Sequence, residues 1–307
     1  MKIALIGTFI LDEIQILDGT ISRSLGGITY ALSALANLID PKVTIYPIAN
    51  VGHDAYHEIK KFTDRYPNID TTGIQVSAAP NTRVKLRYYS KHERDEFLTF
   101  PAAPINPKQI TKAGKFDLVL LNYITGFEMS IETHRLVQQL APMTYMDYHS
   151  LCLGIDENGK RFRRKPENWK QWLEGISILQ LNEHEATLLN KGIADFEQFA
   201  HKAMIGSVKI INVTLGENGS LLFTKQNNGR IRTFTIQSVP YPDVVDVTGC
   251  GDAFAGGYIS QILNGGSPEA AAAFANKVAG FKSTLQGISM MSKLGKFRAH
   301  NMEKTIK

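Results

Sequence analysis

The chain has 307 residues, of which 43% are hydrophobic and 21% charged, as is typical of a soluble globular protein with one large α/β domain and a small appendage. The formal net charge of +5 suits anionic ligands such as nucleotides or sugar phosphates, but is too small and too evenly spread to indicate a nucleic-acid-binding protein. Two distant cysteines and the lack of an apolar run of about 18 residues predict reduced thiols, no membrane span and a cytoplasmic location.

The N-terminal segment is predicted to begin with a buried strand, Ile3–Ile6, that ends at Gly7. Asp12 follows five residues later within further strand-like sequence, and Gly26 and Gly27 precede an apolar helical pattern. Paired glycines before a helix allow a ligand to approach the backbone, although they more often form a simple turn.

The segment 82–100 alternates apolar and basic residues, with Val84 and Leu86 set against Arg83, Lys85 and Arg87. Together with the charged stretch 91–95, this pattern predicts a β-hairpin with one solvent-exposed face. A surface hairpin without a role in ligand binding is the simplest interpretation of the pattern alone.

From about residue 116 the chain alternates strand and helix patterns, which predicts a parallel sheet with crossover helices. The strand candidates are Leu118–Leu121, Thr144–Asp147, Ile176–Leu181 and Lys209–Val213. Ligands of such sheets bind at the carboxyl ends of the strands. Polar residues that follow these strands are therefore candidate site residues: Asn122, Asp147, His149, Asn182, Glu185, Thr214 and Gly216. For Asn182 and Glu185, a helix-capping box is an equally good interpretation.

The most informative stretch runs from Asp243 to Tyr258, where a β-branched apolar run gives way to Gly249-Cys250-Gly251 and then to a helical pattern. Glycines at the start of a helix let backbone N–H groups converge on an anion. Asp252 would lie in the first turn, where the helix dipole alone favours a carboxylate. Beside an anion site, the same carboxylate could act as a general base that deprotonates an attacking hydroxyl.

The string Asp246-x-Thr248-Gly249-x-Gly251-Asp252 resembles the C-terminal signature of the PfkB, or ribokinase-like, carbohydrate kinases, which usually have alanine where this chain has Cys250. The resemblance implies a ribokinase-like α/β fold: one domain over residues 1–307, with a central, mainly parallel sheet, helices on both faces and a small β lid from about 12–22 and 82–100. It also implies transfer of the γ-phosphoryl group of ATP to a hydroxyl of a sugar, sugar acid or sugar-like substrate.

Residue roles follow from the resemblance position by position. Asp252 would be the catalytic base, and Gly249, Cys250 and Gly251 the anion hole. Nucleotide contacts would come from Asn182, Thr214, Gly216, Thr248 and Asn276. Substrate contacts would come from Asp12, Gly26, Gly27, Arg87, Tyr89, Asp147, His149 and Arg164. Glu185 would help to hold Mg²⁺, and Asp246 a monovalent cation such as K⁺. Ala31 replaces a usual asparagine, which leaves the choice among sugars, sugar phosphates and nucleosides open.

Several alternatives remain at this point. The basic run 160–165 is either a solvated loop or a cover over the active site. The protein could be a nucleoside kinase, or a binding protein that has lost catalysis. A Rossmann-type oxidoreductase is disfavoured because Phe254 occupies the place of the third fingerprint glycine. We expect a small-molecule substrate, no nucleic-acid or membrane partner, and a homodimer if the lid pairs with a second subunit.

Overall fold

The computed structural model describes residues 1–90 and 94–305. Its strands are β1 (Lys2–Ile6), β2 (Phe9–Gln15), β3 (Ile21–Gly27), β4 (Thr44–Gly52), β5 (Ile74–Ser77), β6 (Arg83–Tyr88), β7 (Arg94–Thr99), β8 (Leu118–Asn122), β9 (Thr144–Asp147), β10 (Leu153–Ile155), β11 (Arg161–Arg163), β12 (Ile178–Asn182), β13 (Ile210–Thr214), β14 (Ser220–Lys225) and β15 (Ile231–Ile236). Its helices are α1 (Thr29–Leu38), α2 (Tyr56–Thr63), α3 (Pro107–Lys112), α4 (Ile131–Val137), α5 (Glu183–Leu189), α6 (Phe196–Ala203), α7 (Cys250–Leu263), α8 (Pro268–Ser283) and α9 (Lys293–Thr305).

In the described residues, a nine-stranded sheet forms the centre of the molecule, in the order β15-β14-β13-β12-β9-β8-β1-β4-β5. Seven neighbouring strands of this sheet are parallel: β13, β12, β9, β8, β1, β4 and β5. At one edge, β14 and β15 form an antiparallel hairpin, and β14 pairs antiparallel with β13. The predicted, mainly parallel α/β sheet is therefore confirmed. The four candidate strands after residue 116 are present, with ends displaced by at most two residues.

Both faces of this sheet are buried, and most residues of its central strands are apolar. In β1, Ile3 and Leu5 pack into a core with α1, α7 and α8, whereas Ala4 and Ile6 point into a second core with α5 and α6. Strand β8 is likewise buried at every position. Continuous apolar sequence is expected for parallel strands covered by helices on both sides.

A second, four-stranded sheet has the order β3-β2-β6-β7, and we call it the lid. Strands β2 and β6 pair in parallel, and the two outer pairs are antiparallel. Ile10, Val84 and Leu86 form an apolar cluster on one face and pack against Ile124 and Phe127, which follow β8. This cluster holds the lid over the carboxyl edge of the central sheet.

Two further elements lie outside the sheets. After Pro166 the chain forms a short 3₁₀-helix, Trp169–Leu173. The last described residues form α9. Residues 91–93 of the predicted turn at 91–95 lie outside the described residues. Across residues 1–90 and 94–305, no helix is both long and apolar enough to cross a membrane.

Candidate active site

The carboxyl edge of the central sheet brings the predicted polar residues side by side. Asn122 of β8 is in register with Asp147 of β9, and Asp147 is in register with Gln180 of β12. Asn182 and Thr214 occupy the same level on β12 and β13. Parallel pairing therefore places residues that are far apart in sequence along one cleft.

The N-terminus of α7 faces this cleft. Gly249 has φ +78°, and a side chain there would also clash with Tyr30, because a Cβ atom would lie 2.3 Å from Cδ1 of that ring. The N–H groups of Gly249 and Gly251 have no acceptor among the described residues. The N–H of Cys250 instead donates to the Val247 carbonyl at 3.2 Å. The predicted three-donor anion hole is thus a two-donor cradle in this structure.

Asp252 lies in the first turn of α7, partly exposed to the cleft. Its Oδ1 accepts a hydrogen bond of 2.6 Å from Asn122 Nδ2, which fixes the carboxylate. Burial raises the pKa of Asp252, and the Asn122 hydrogen bond together with the charges of His149 and Lys282 opposes that rise. Gln180 Nε2 donates to the Gly251 carbonyl at 3.0 Å and so holds the cradle against the sheet.

Asn182 and Glu185 form a capping box at the start of α5, as the structural interpretation of this motif predicted. Glu185 also accepts a hydrogen bond from His149 Nδ1 at 2.7 Å. Desolvation lowers the pKa of His149, but the hydrogen bond and charge of Glu185, with Asp147 and Glu96, raise it to about 9. The imidazole is therefore a cation at neutral pH.

Asp147 completes an acidic group with Glu185 and Asp252. Burial and these two neighbouring carboxylates raise the pKa of Asp147 to about 7, and His149 opposes the rise. No group of three or more histidine, cysteine or acidic side chains in the described chain is arranged as a protein-only metal site. This donor set nevertheless fits Mg²⁺, which binds through one or two carboxylates, its own waters and substrate phosphates.

Asp246, predicted as a ligand for a monovalent cation, does not fit that role. Its Oδ1 accepts from the Thr248 N–H at 2.9 Å and its Oδ2 from the Gly287 N–H at 2.9 Å. The ammonium of Lys282 lies 3.0 Å from the Asp246 carbonyl oxygen. The position expected for a free cation is thus taken by a side chain of the protein.

The sequence matches a known protein family over most of the chain. A family model described as "pfkB family carbohydrate kinase" matches residues 11–292. The chain belongs to the pfkB family. It is therefore a phosphotransferase that acts on hydroxyl groups, as the signature at Asp246–Asp252 predicted.

Individual relatives of this pfkB kinase differ in what their names say they phosphorylate. A cytidine kinase from Thermococcus kodakarensis is 21% identical, over 86% of this chain and 90% of the relative. A 2-dehydro-3-deoxygluconokinase from Escherichia coli is 24% identical, over 88% of this chain and 91% of the relative.

Solved structures confirm the ribokinase-like fold. The ribokinase of Giardia lamblia superposes with a TM-score of 0.80 at 18% identity and covers 99% of both chains. The ribokinase of Arabidopsis thaliana, solved with ribose and ATP, superposes with a TM-score of 0.70 at 20% identity, over 96% of this chain and 98% of its own.

A cavity of about 310 Å³ opens beside the acidic group, between β7 of the lid, the β10–β11 hairpin and the start of α5. Arg161 is buried behind it, where it donates to the carbonyls of Ile124 and Thr125 and pairs with Glu96. Arg163, on the same face of the hairpin, lines the cavity. Arg164 lies outside it, with its Cδ beside Gly154, so Arg163 is the better placed of the two for a substrate.

Asp12 lies directly against Gly26 of the glycine pair that was predicted to contact substrate with it. A Cβ atom at Gly26 would lie 1.8 Å from Asp12 Oδ2, and Gly27 has φ +63°. Asp12 faces the inner side of the lid. Burial and the charge of Glu96 raise its pKa to about 7, against the opposing effect of Arg94. These positions bring Asp12, Arg94 and Glu96 to one side of the cleft.

Three predicted contacts lie elsewhere. Arg87 alternates with Leu86 along β6 and is exposed on the outer face of the lid. Tyr89 is 58% exposed beyond the end of that strand. Asn276 is buried and donates to the carbonyls of Ile236 and Gln237, which gives it a structural role between α8 and β15. The nucleotide contacts expected of Thr214, Gly216 and Thr248 stay predictions.

Sequence reasoning missed five residues that the structure places at the site: Tyr30, Arg94, Glu96, Gln180 and Lys282. Gln180 is interior to an apolar strand, where an amide requires a polar partner, so its presence was a usable signal. The other four have no such local signal, because only tertiary packing brings them to the cleft.

Proposed function

We propose that this protein is an ATP-dependent kinase that phosphorylates a hydroxyl group of a sugar, a sugar acid or a related polyhydroxy compound. One observation carries the proposal: Asp252, a carboxylate with a raised pKa, is fixed by Asn122 beside two backbone N–H groups at the start of a 14-residue helix. A base next to an anion cradle is the arrangement that phosphoryl transfer to an alcohol requires.

The donor phosphates would lie at the N-terminus of α7, where the helix dipole and the N–H groups of Gly249 and Gly251 favour negative charge. Asp147 and Glu185 would hold Mg²⁺ through its waters, and the bound ion would neutralise phosphate charge. Val244, Val245 and Val247 of the preceding loop are between 57% and 68% exposed. Such exposed apolar surface beside the cradle is suited to the base of a nucleotide.

In the transfer step, Asp252 accepts the proton of the substrate hydroxyl as its oxygen bonds to the γ-phosphorus. The bond between that phosphorus and the bridging oxygen breaks, and ADP leaves with the electron pair. Gly249 and Gly251 stabilise the equatorial phosphoryl oxygens by donating hydrogen bonds to them. Closure of the cleft beneath the lid would exclude water and so suppress hydrolysis of ATP.

The charge balance of the cavity bears on the acceptor. Glu96 pairs with Arg161, Asp95 with Lys160 and Glu185 with His149. Among the described residues, neither Arg94 nor Arg163 has an acidic partner at salt-bridge distance, although the charge of Arg94 acts on Asp12. Two guanidinium groups outside salt bridges favour an acceptor that carries a carboxylate or phosphate, and therefore a sugar acid or sugar phosphate over a neutral sugar.

A nucleoside kinase of the same fold is the second candidate, favoured by the full-length similarity to a cytidine kinase. A non-catalytic homologue is disfavoured because the base, its amide partner and the cradle are all in place. We place the enzyme in a reducing compartment that contains ATP, such as the cytoplasm, since both cysteines are free. Pairing of the lid with a second copy, at its exposed strand β3, is our proposal for a homodimer.

The function is tested by measuring ADP release with Mg-ATP against sugars, sugar acids, sugar phosphates and nucleosides, with pyrophosphate as an alternative donor. We expect turnover with ATP on an acidic sugar, together with a mass increase of the acceptor by one phosphoryl group. Preferential turnover of nucleosides would favour the second candidate. ATP binding without phosphorylation of any acceptor would favour the non-catalytic homologue.

A further inference from the structure

Lys282, in the last turn of α8, places a completely buried ammonium group behind the signature loop. Its side chain is 0% exposed. Nζ lies 3.0 Å from the Asp246 carbonyl oxygen, 3.4 Å from Asp246 Oδ2 and 3.1 Å from the Leu285 carbonyl oxygen. An ammonium has three donors and no acceptor. These three oxygens therefore match its donors, and the Asp246 carboxylate balances its charge.

The same group connects two loops that border the cleft. Asp246 begins the signature loop, whereas Leu285 and Gly287 belong to the turn after α8, and Gly287 also donates to Asp246 Oδ2 at 2.9 Å. The Lys282 Nζ lies 5.7 Å from the centre of the Tyr30 ring. That ring packs directly against Gly249. A displacement of the ammonium group would therefore alter the anion cradle in two ways, through the signature loop and through the Tyr30 ring.

A charge in this place also acts on the catalytic group. Lys282 opposes the rise in the pKa of Asp252 that burial causes, and likewise that of Cys250. Two carbonyl oxygens and one carboxylate oxygen are otherwise ligands for a small cation such as K⁺. The protein has filled that oxygen cage with a covalently attached cation.

We propose that Lys282 is the resident cation of this site: its ammonium holds the signature loop 246–251 in the anion-binding conformation, and the protein needs no monovalent metal ion there. Lys282 is a positioning residue, since it acts through Asp246 and Tyr30. The activity part of this inference rests on the proposed kinase function, whereas its structural part does not.

The test compares wild type with Lys282→Ala, Lys282→Met and Lys277→Met in equal concentrations of choline, sodium, potassium and ammonium chloride. Lys282→Ala vacates the oxygen cage so that an ion can enter, whereas Lys282→Met fills the same volume with an apolar chain. Lys277 is an exposed lysine of the same helix and serves as the matched control. Melting temperature and turnover are both measured.

Wild type and Lys277→Met should turn over at rates within about twofold of each other in all four salts, because a tethered ion needs no saturation. The turnover of Lys282→Ala in choline chloride should be at least about tenfold below that of wild type, and most of it should return in ammonium or potassium chloride. The melting temperature of this variant should be several degrees higher in ammonium or potassium chloride than in choline chloride. Lys282→Met should lose activity and show no recovery in any salt.

Three results would overturn the proposal: a wild-type enzyme that requires potassium, a Lys282→Ala variant equal to wild type, or equal losses in both Lys282 variants without cation rescue. If Lys282→Ala does not fold, the proposal is tested by the salt dependence of the other two proteins: wild type should be independent of the cation, and Lys282→Met should be impaired in every salt. Melting temperatures keep the test independent of the kinase assignment. Cation-specific stabilisation of Lys282→Ala without turnover of wild type would support Lys282 and contradict the kinase.

Discussion

Asn122 is an uncharged side chain that affects the pKa of Asp252, the proposed base. Its amide donates to the Asp252 carboxylate at 2.6 Å and lowers the pKa of that group against the effect of burial. Asn122→Ala should lower kcat about tenfold to hundredfold, because a hydrogen bond to a charged group is worth about 1.5–3 kcal/mol. Without this hydrogen bond the pKa of Asp252 rises. On acidification, the activity of the variant should therefore begin to decrease at a higher pH than that of wild type.

The measurement is the pH dependence of kcat/KM for wild type, Asn122→Ala and the control Asn227→Ala, which alters an exposed turn between β14 and β15. An acid limb that stays in place, or moves to lower pH, would show that Asn122 does not act on the base.

Arg161 and Arg163 are two residues apart but have separate roles. The Arg161 side chain is 3% exposed and is fixed by Glu96 and two carbonyl groups. Arg161→Ala should cost about 3–5 kcal/mol of unfolding free energy, since it leaves Glu96 and the carbonyls without their partner. Arg163 is exposed, and Arg163→Ala should change stability by less than about 0.5 kcal/mol.

For Arg163→Ala we expect instead a higher KM for acidic acceptors and an unchanged KM for ATP. Urea denaturation and steady-state kinetics of the two variants measure both effects. Equal stability losses would mean that the two arginines are structurally equivalent and would contradict their separate roles.

At the level of secondary-structure elements, α7 carries the proposed catalytic residues and packs closely against its neighbours. A Cβ atom at Gly256 would lie 2.8 Å from the Cβ of Ala34 in α1, so the two helices touch backbone to backbone. Gly256→Ala should therefore destabilise the protein by about 1–3 kcal/mol through overpacking, even though alanine is the better helix former.

Gly295→Ala is the matched control, because it changes a glycine of α9 whose near neighbours among the described residues are atoms of Asn37, at 3.3 Å or more. We expect a gain of up to about 1 kcal/mol from helix propensity there. Opposite signs for the two variants in chemical denaturation would confirm the packing argument, and a stabilising Gly256→Ala would contradict it.

The secondary-structure elements differ in how far they could be predicted from the sequence. Strands such as β8 and the start of α7 were predictable, because their apolar runs and glycines specify local geometry. The pairing of β10 with β11 and the burial of Arg161 were not. A run of five basic residues in six is a solvated loop by local pattern, and only its tertiary partners, Glu96 and the two carbonyls after β8, make Arg161 structural. Lys282 was missed for the same reason, since its acidic partner, Asp246, belongs to a distant segment.

For the whole molecule, folding desolvates several acids at one edge of the sheet, and this predicts how stability depends on pH. Asp12 and Asp147 have pKa values of about 7 against an ordinary 3.8. The folded state therefore binds more protons than the unfolded state between about pH 4 and 7, so stability falls as pH rises through 7. His149 acts in the same direction, since the stability linked to its pKa of about 9 is lost as pH rises through that value.

Thermal melting between pH 5.5 and 9 should therefore show a steady decrease in melting temperature. Asp12→Asn should melt a few degrees above wild type at pH 8, and the difference should decrease as the pH is lowered towards the ordinary pKa of 3.8, because three pKa units are worth at most about 4 kcal/mol. The same variant should bind substrate less well. A flat profile, or no difference between the two proteins at pH 8, would contradict the burial of this carboxylate.

The most direct test of the central claim is the turnover of Asp252→Asn, with Glu269→Gln as its control. Both substitutions neutralise an acid in the first turn of neighbouring helices, α7 and α8, but only the first removes the proposed base. We expect Asp252→Asn to lose about 10²–10⁴-fold in kcat while ATP binding, measured by calorimetry, is retained, and Glu269→Gln to match wild type. Near wild-type turnover by Asp252→Asn would contradict the assignment of Asp252 as the catalytic base.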